Sequence, residues 1–319
     1  MVTPHTETPV PRGGAGSAVD VNRRASDLVA SGSIEMSAHR PGDAAAIARL
    51  LPVGTPVFVN HLPRHAMAET LATLIAVRDA GLEPVPHLAA RRFSSRAEAR
   101  WLIDSAVQQA NVRKVLLIGG DTEHAAGPYA DAASLLRDGL IAEHGIAEVG
   151  FAGHPDGHPV MTVEQCGAAL NEKLTIAADQ GLGAFVVTQF SFAPRRIIDF
   201  CEHLGRHAPD VPVYVGIAGP SNPVALLKFA QRCGVGASLR ALQTRGLDAV
   251  RLGMRTNPDE QLRALAEHWD LRQPCNVVGT HLFSFGGVEP TARWMHGWIQ
   301  KRSAATPTPP TLRSGPIQS

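Results

Sequence analysis

The chain has 319 residues, 44% of them hydrophobic, which is enough for one large buried core. Lys and Arg together number 30 and Asp and Glu number 29, so the chain lacks the clustered basic excess of a dedicated nucleic-acid surface. No apolar run approaches the roughly 20 residues that a membrane-spanning helix needs, which argues against a membrane protein.

Residues 1–30 are rich in Pro, Gly, Thr and Ser and show no hydrophobic period, so we expect a disordered N-terminal segment. The tail 303–319 has a similar composition, so we expect it to be disordered as well. Between them, residues 31–302 alternate short apolar or β-branched runs with helical segments. Runs of this kind are typical of parallel strands buried on both faces. The predicted strands are Ser33–Ser37, Pro56–Asn60, Pro84–Leu88, Lys114–Gly119, Glu148–Ala152, Ala184–Phe190, Pro212–Ile217 and Asn276–Phe283.

The intervening segments carry helix signals. In Ala66–Val77 the apolar residues recur every three or four positions, as on one face of a helix. Ser94 and Ser95 stand where an N-cap is expected, with Glu98 at the offset of a capping box. Eight strands with helices between them favour a closed (β/α)8 TIM barrel in a single domain. An open Rossmann-like sheet is the alternative, but its G-x-G-x-x-G signature is absent after the first strand. Residues 218–275 are long enough for two or three helices.

Polar side chains fall at or near the carboxyl ends of seven predicted strands. In a barrel of this class the chemistry lies at that end, and a charge buried there needs a ligand or a partner. The set therefore predicts a polar pocket without naming its substrate. Its members are Glu35, Asn60, His87, Asp121, His154, His158, Gln189 and His281.

Simpler chemistries find little support. The sequence has no H-E-x-x-H, no G-x-S-x-G elbow and no P-loop, and His154 and His158 stand in a Pro/Gly loop, so no metal site is expected. Gly119 and Gly120 precede Asp121, where they would either let the backbone approach a ligand or serve a tight turn.

The cysteines are scattered without a C-x-x-C pair, as is typical of free thiols in a reducing compartment. The arginines near the start are not followed by an apolar stretch, so no secretory signal is expected and the predicted location is cytoplasmic. The cysteines are Cys166, Cys201, Cys233 and Cys275.

Taken in order, the strand-end motifs resemble the methylenetetrahydrofolate reductase family from about residue 33 to residue 285. Each match is short, but nine of them occur in the family's order. They are S-I-E-M-S at 33–37, V-P-H-L-A at 85–89, G-G-D at 119–121, Y-A-D-A-A at 129–133, H-P-D-G-H-P at 154–159, L-N-E-K at 170–173, V-T-Q-F-S-F at 187–192, V-G-I-A-G-P-S-N at 215–222 and H-L-F-S-F at 281–285.

The resemblance implies reduction of 5,10-methylenetetrahydrofolate to 5-methyltetrahydrofolate with NADH or NADPH, through FAD. Glu35 would be the general acid, held protonated by a raised pKa, and Asp121 would tune the flavin and the pterin electrostatically. Gln189 and Phe285 would bind the folate. The residues that the resemblance assigns to the cofactor are Asn60, His87, Gly120, Asp121, Tyr129, Ala130, His158 and Lys173.

The sequence also departs from the family's pattern. The Gly-rich loop after the second strand is replaced by N-H-L-P-R-H at 60–65, and Gly119 stands where the family has arginine. Because most departures touch FAD, two alternatives stay open: a flavin-free folate-dependent one-carbon enzyme and a non-catalytic folate-binding module. The expected partner is a small folate molecule, with a homo-oligomer left open.

Overall fold

A closed ring of eight parallel strands forms the centre of the molecule in the computed structural model, which confirms the predicted (β/α)8 barrel. The structure describes residues 18–60, 66–222, 258–270 and 275–305, together with positions 224, 226, 229, 230 and 235. The strands are Ser33–Ser37 (β1), Pro56–Asn60 (β2), Glu83–Ala89 (β3), Lys114–Ile118 (β4), Glu148–Gly153 (β5), Gly183–Thr188 (β6), Val213–Ala218 (β7) and Val277–Phe283 (β8).

Each strand pairs in parallel with the next one along the chain, and β1 pairs with β8 to close the ring. The predicted sixth strand is too long, because the strand ends at Thr188 and Gln189 lies beyond it. The backbone N–H of Gln189 still donates to the Gly153 carbonyl at 2.7 Å, whereas the backbone N–H of Phe190 donates to the side-chain oxygen of Gln189 at 3.1 Å.

Helices connect the strands on the outside. Two predicted helix signals are confirmed: the Ser95 hydroxyl accepts from the backbone N–H of Glu98 at 3.2 Å, and the helix over residues 67–79 buries Leu71 and Leu74. The helices are Ala18–Ala30 (α1), Asp43–Ala48 (α2), Met67–Asp79 (α3), Arg96–Ala110 (α4), Ala132–Arg137 (α5), Leu140–Glu143 (α6), Val163–Asp179 (α7), Pro194–His207 (α8), Asp259–Asp270 (α9) and Val288–Ala305 (α10), with a 3₁₀ turn at Ala90–Arg92.

The expected disorder through residue 30 is wrong from residue 18 onward, where the chain forms α1. Ala25, Leu28 and Val29 repeat at helical spacing and are fully or almost fully buried, and the helix packs against α9 and α10. At the other end α10 continues to Ala305, past the expected boundary at 302. Residues 1–17 and 306–319, and most of the region predicted to hold two or three helices before β8, lie outside the described residues.

The barrel interior is filled by side chains that alternate along the strands. Phe58 of β2 contacts the Phe185 ring edge-on at 6.3 Å, with Val85 and Leu116 in the same cluster. Gly150 leaves room for Phe185, because a Cβ there would overlap that ring. This apolar layer separates the two ends of the barrel.

At the amino end of the strands the interior is closed by charge. The Lys114 ammonium lies 3.6 Å from a carboxylate oxygen of Glu83 and 3.3 Å from one of Glu148. These charged side chains lie below the aromatic layer and help to close the barrel. In this fold, the amino ends of the strands contribute to stability, whereas active sites lie at the carboxyl ends.

Three of the four cysteines, Cys166, Cys201 and Cys275, are free thiols as predicted, and Cys233 lies outside the described residues. Within the described part of the chain, no helix is both long and apolar enough to cross a membrane.

Candidate active site

Glu35 lies in the middle of β1 and points into the barrel above the aromatic layer. Its neighbour across the ladder is Phe58, whose ring contacts side chains from three other strands and so marks the interior. The Asn60 amide nitrogen donates to Oε1 of Glu35 at 2.6 Å. Oε2 of Glu35 lies 3.7 Å from Nε2 of His281, and the carboxylate side chain is 15% exposed. The carboxylate is thus flanked on both oxygens.

Two imidazoles from different strands complete this group. His281 of β8 is fully buried, and its Nδ1 lies 2.8 Å from the Ser33 hydroxyl. His87 of β3 is buried and meets the Phe58 ring edge-on at 6.1 Å, while His281 meets the same ring at 4.7 Å. Alternation along β1, β3 and β8 therefore brings residues that are far apart in sequence into one cluster.

The expected raised pKa of Glu35 is wrong. Burial by itself raises the pKa of this carboxyl group, but the nearby His281 and His87 rings and the Asn60 amide outweigh it and hold the pKa below its usual range. Glu35 is therefore ionised at neutral pH. Burial lowers the pKa of His87 to about 4, so that ring is uncharged at neutral pH.

Three polar atoms around Glu35 are buried and have no hydrogen-bond partner among the described residues: Asn60 Oδ1, His87 Nε2 and His281 Nε2. Most buried polar atoms in folded proteins are paired, and leaving one unpaired costs about 1–3 kcal/mol. Three such atoms beside one carboxylate point to a ligand that would satisfy them. This cluster is the candidate active site.

A second polar group lies where the loops after β3 and β5 meet. The His154 and His158 rings pack edge-on with centroids 4.9 Å apart, and the Lys173 ammonium lies 5.4 Å from the centre of the Phe151 ring. Burial and the neighbouring His158 and Lys173 lower the pKa of His154 to about 4. Burial, together with the charge of Arg91, lowers the pKa of His158. The group is cationic through Lys173 and Arg91.

Arg91 also holds the loop after β4. Its Nε donates to the Ala130 carbonyl at 2.6 Å and its guanidinium to the Thr122 carbonyl at 3.3 Å. Asp121 is exposed in that loop. Burial lowers the pKa of Arg92, and the nearby Asp121 partly offsets this effect. Gly120 has φ +96°, a backbone conformation that favours glycine, so the turn itself explains this residue.

Tyr129, which the resemblance assigns to the cofactor, lies beside α5. Its side chain is buried against Phe93, and its hydroxyl donates to the Asp138 carboxylate. Burial and that hydrogen bond raise the pKa of Tyr129. The hydroxyl therefore contacts the residue that ends α5.

Gln189 and Phe285 lie on the other side of the barrel mouth, after β6 and β8. The Gln189 side-chain oxygen accepts from the Phe190 backbone, which leaves the amide N–H groups as its donors. Phe285 is half-buried and stacks on Phe229 at 4.5 Å and on Phe283 at 5.5 Å. These rings form an apolar wall that begins next to His281, whose ring is 4.8 Å from Phe283.

The residues assigned to FAD by resemblance fit it only in part. Lys173 and Arg91 offer the positive charge that dinucleotide phosphates need, and the His158 ring lies beside them. Asn60 and Tyr129, by contrast, already donate to carboxylates of the protein. These residues therefore suit a ligand that carries phosphate groups, but they do not match all the contacts that the resemblance assigns to FAD.

Two residues of these groups, Ser33 and Arg91, were not among the predicted site residues. Ser33 could have been found from strand alternation, because it stands two positions before Glu35 and so shares its face. Arg91 follows the end of β3 and carried no motif. No group of three or more His, Cys, Asp or Glu side chains suited to a metal ion occurs among the residues that the structure describes.

A groove of about 670 Å³ runs along α7 between Val160 and Glu172, away from Glu35. It is open and formed largely by one helix, whereas the Glu35 cluster unites side chains of four strands. We therefore take the cluster as the candidate site.

No protein-family model matches the chain. Among solved structures, it is similar to dihydropteroate synthase from Thermus thermophilus, with 12% identity over 84% of this chain and 93% of that one and a TM-score of 0.46. It is also similar to a proposed phosphonomutase from Burkholderia cenocepacia, with 14% identity over 74% of this chain and 100% of that one and a TM-score of 0.43. At these values the likenesses carry no argument about substrate, and the fold rests on the strand pairing itself.

Proposed function

We propose that this barrel is a reductase of a folate-bound one-carbon unit, converting 5,10-methylenetetrahydrofolate into 5-methyltetrahydrofolate with NADH or NADPH. The observation that carries the proposal is the buried Glu35 carboxylate surrounded by three buried polar atoms that have no hydrogen-bond partner in the described part of the chain. The ordered motifs along the strands suggest folate as the ligand. A polar heterocycle would supply the missing partners.

The reaction consumes one hydride and one proton. The hydride adds to the methylene carbon, the bond from that carbon to N10 breaks, and N10 takes up the proton. Positive charge develops on the N5 side as the bridge opens. A fixed carboxylate in a dry cavity stabilises such a charge, and Glu35 is placed to do so.

Glu35 is also the proposed proton donor to N10. Because its surroundings hold it ionised, it must bind a proton before it can give one. Binding of the substrate removes the remaining water from the carboxylate, which raises its pKa and favours that protonation. The free protein therefore carries the active, protonated form in a minor fraction at neutral pH.

The remaining residues bind and orient the two substrates. The Gln189 amide would pair with the pterin edge, and Phe285 would pack against the flat part of the folate. Lys173, His158 and Arg91 would hold the dinucleotide phosphates. If FAD is bound, these residues would hold its phosphates, and the flavin would supply hydride-transfer chemistry between the nicotinamide and the folate.

Direct transfer from the nicotinamide, without flavin, is the second candidate. It is favoured by the engagement of Asn60 with Glu35 and of Tyr129 with Asp138, since both side chains are then used by the protein. A folate-binding module without catalysis is the third reading. A buried carboxylate has little use in a module of that kind.

The test begins with the absorption spectrum of the purified protein, recorded before and after NADH under anaerobic conditions. Flavin bands that bleach support transfer through FAD. A colourless protein that consumes NADH only with methylenetetrahydrofolate supports direct transfer. Absence of turnover with NADH and NADPH, with and without added FAD, would refute the reductase.

The matched variant for this assay is Glu35→Gln, which keeps the size of the side chain and removes its charge and its proton. We expect turnover to be lost while folate affinity changes by less than about threefold, because the role of Glu35 lies in the transition state. Folate affinity that collapsed together with turnover would make Glu35 a binding group only.

A further inference from the structure

The Ser33 hydroxyl, the His281 ring and the Glu35 carboxylate form a buried row across β1 and β8. The hydroxyl oxygen lies 2.8 Å from Nδ1, and Nε2 of the same ring lies 3.7 Å from Oε2 of Glu35. Ser33 and His281 are both fully buried. Ser33 had no part in the reaction described above.

A neutral imidazole carries its proton on one of its two nitrogens, and the bond at the other nitrogen decides which. If Ser33 accepts from Nδ1–H, the lone pair of Nε2 faces the ionised carboxylate, which is electrostatically unfavourable. If Ser33 donates to Nδ1, the proton sits on Nε2 and points toward Oε2. The second arrangement is the one that suits the charge of Glu35.

We infer that Ser33 is a positioning residue that fixes His281 with its proton on Nε2, directed at Oε2 of Glu35. The carboxylate then accepts a hydrogen bond from Asn60 at Oε1, and the Nε2–H of His281 is directed at Oε2 from 3.7 Å, a separation longer than a hydrogen bond. Ser33 thereby helps to set the pH at which Glu35 takes up its proton. The consequence for turnover rests on the proposed reductase, whereas the tautomer does not.

The other groups that face Glu35 do not supply a positive charge that would balance its carboxylate. His87, from β3, is uncharged at neutral pH because burial lowers its pKa to about 4. Asn60, from β2, carries no charge. The ionised groups Lys114, Glu83 and Glu148 lie below the Phe58 layer at the opposite end of the barrel.

The first test needs neither substrate nor substitution. In ¹⁵N-histidine-labelled protein, the nitrogen shifts of His281 report which of its two nitrogens is protonated. Loss of the signal in His281→Phe assigns it. We expect the Nε2–H form. A predominant Nδ1–H form would overturn the inference whatever the protein's activity.

The second test is the pH profile of kcat/KM in Ser33→Ala. Weakening a donor to a charged group raises the pKa of Glu35, so the profile should move to higher pH by about one unit. Ser33→Thr, which keeps the hydroxyl, should restore the original profile. Ser105→Ala, which removes a buried hydroxyl from α4 on the outside of the barrel, is the matched control and should not move it.

The two tests separate the possible failures. A uniform loss of rate in Ser33→Ala without a shift in pH would show that the hydroxyl has only a structural role and would overturn the inference. If the wild-type protein has no reductase activity, the proposed function fails, but the tautomer measurement still decides the role of Ser33.

Discussion

Replacing Asn60 by Ala should raise the pKa of Glu35, because it removes the 2.6 Å hydrogen bond to Oε1. A hydrogen bond to a charged group contributes about 1.5–3 kcal/mol, and one pKa unit corresponds to about 1.4 kcal/mol. The expected rise is thus about one to two units. The carboxylate is only 15% exposed, so solvent can replace little of the lost bond.

The same bond links stability to pH. The pKa of Glu35 in the folded protein lies below its ordinary value of 4.5, so its ionisation stabilises the fold above that pH. This contribution is lost as pH falls through the lowered pKa of the folded state. Asn60→Ala should therefore lower the free energy of unfolding by about 2 kcal/mol at neutral pH and by less in acid.

The assay is a ¹³C NMR titration of carboxyl-labelled glutamate, in which loss of one signal in Glu35→Gln assigns Glu35. Urea unfolding at neutral and acidic pH supplies the stability difference. The control is Gln108→Ala, which removes an amide–carboxylate bond of 2.7 Å to Asp104 on the exposed face of α4 and should cost less than about 0.5 kcal/mol. An unchanged Glu35 titration in Asn60→Ala would refute the reasoning.

Three further outcomes are expected. The kcat/KM of the wild-type protein should fall about tenfold per pH unit between about pH 6 and 8, because the protonated fraction of a low-pKa acid falls at that rate; a flat profile would mean that Glu35 is not the acid. Gln189→Ala should weaken folate binding about tenfold in calorimetry, since it leaves pterin groups unpaired, and unchanged affinity would remove Gln189 from the site. Lys173→Ala should raise the KM for the dinucleotide about tenfold with less effect in Lys173→Arg, and equal values in both variants and wild type would exclude a phosphate contact.

The barrel and the position of its site could be predicted from the sequence because both depend on local patterns. Apolar runs give buried parallel strands, and the fold then brings their carboxyl ends together, so the strand pattern is enough to place Glu35, His87 and His281 near one another. The sequence does not predict helix α1, because the preceding stretch is rich in Pro and Gly and the apolar repeat at residues 25, 28 and 29 is short.

The ionisation state of Glu35 could not be predicted in the same way. Its sequence neighbours Ile34 and Met36 suggest an apolar environment and a raised pKa, but in a strand they point away from the interior that Glu35 faces. The groups that decide its pKa come from β2, β3 and β8. The pairing of Tyr129 with Asp138 was likewise hidden, because it depends on how the chain folds back after β4.

Among the described residues, the lower half of the barrel is closed, so the site opens toward the mouth. Below Glu35 lie the Phe58 layer and the Lys114 ion pairs, so molecules must reach the carboxylate from the mouth and leave by the same way. Under the proposed function, the folate and the dinucleotide share this entrance, so they must either bind in sequence or lie one on top of the other. The shape of the barrel thus constrains the order of events in each turnover.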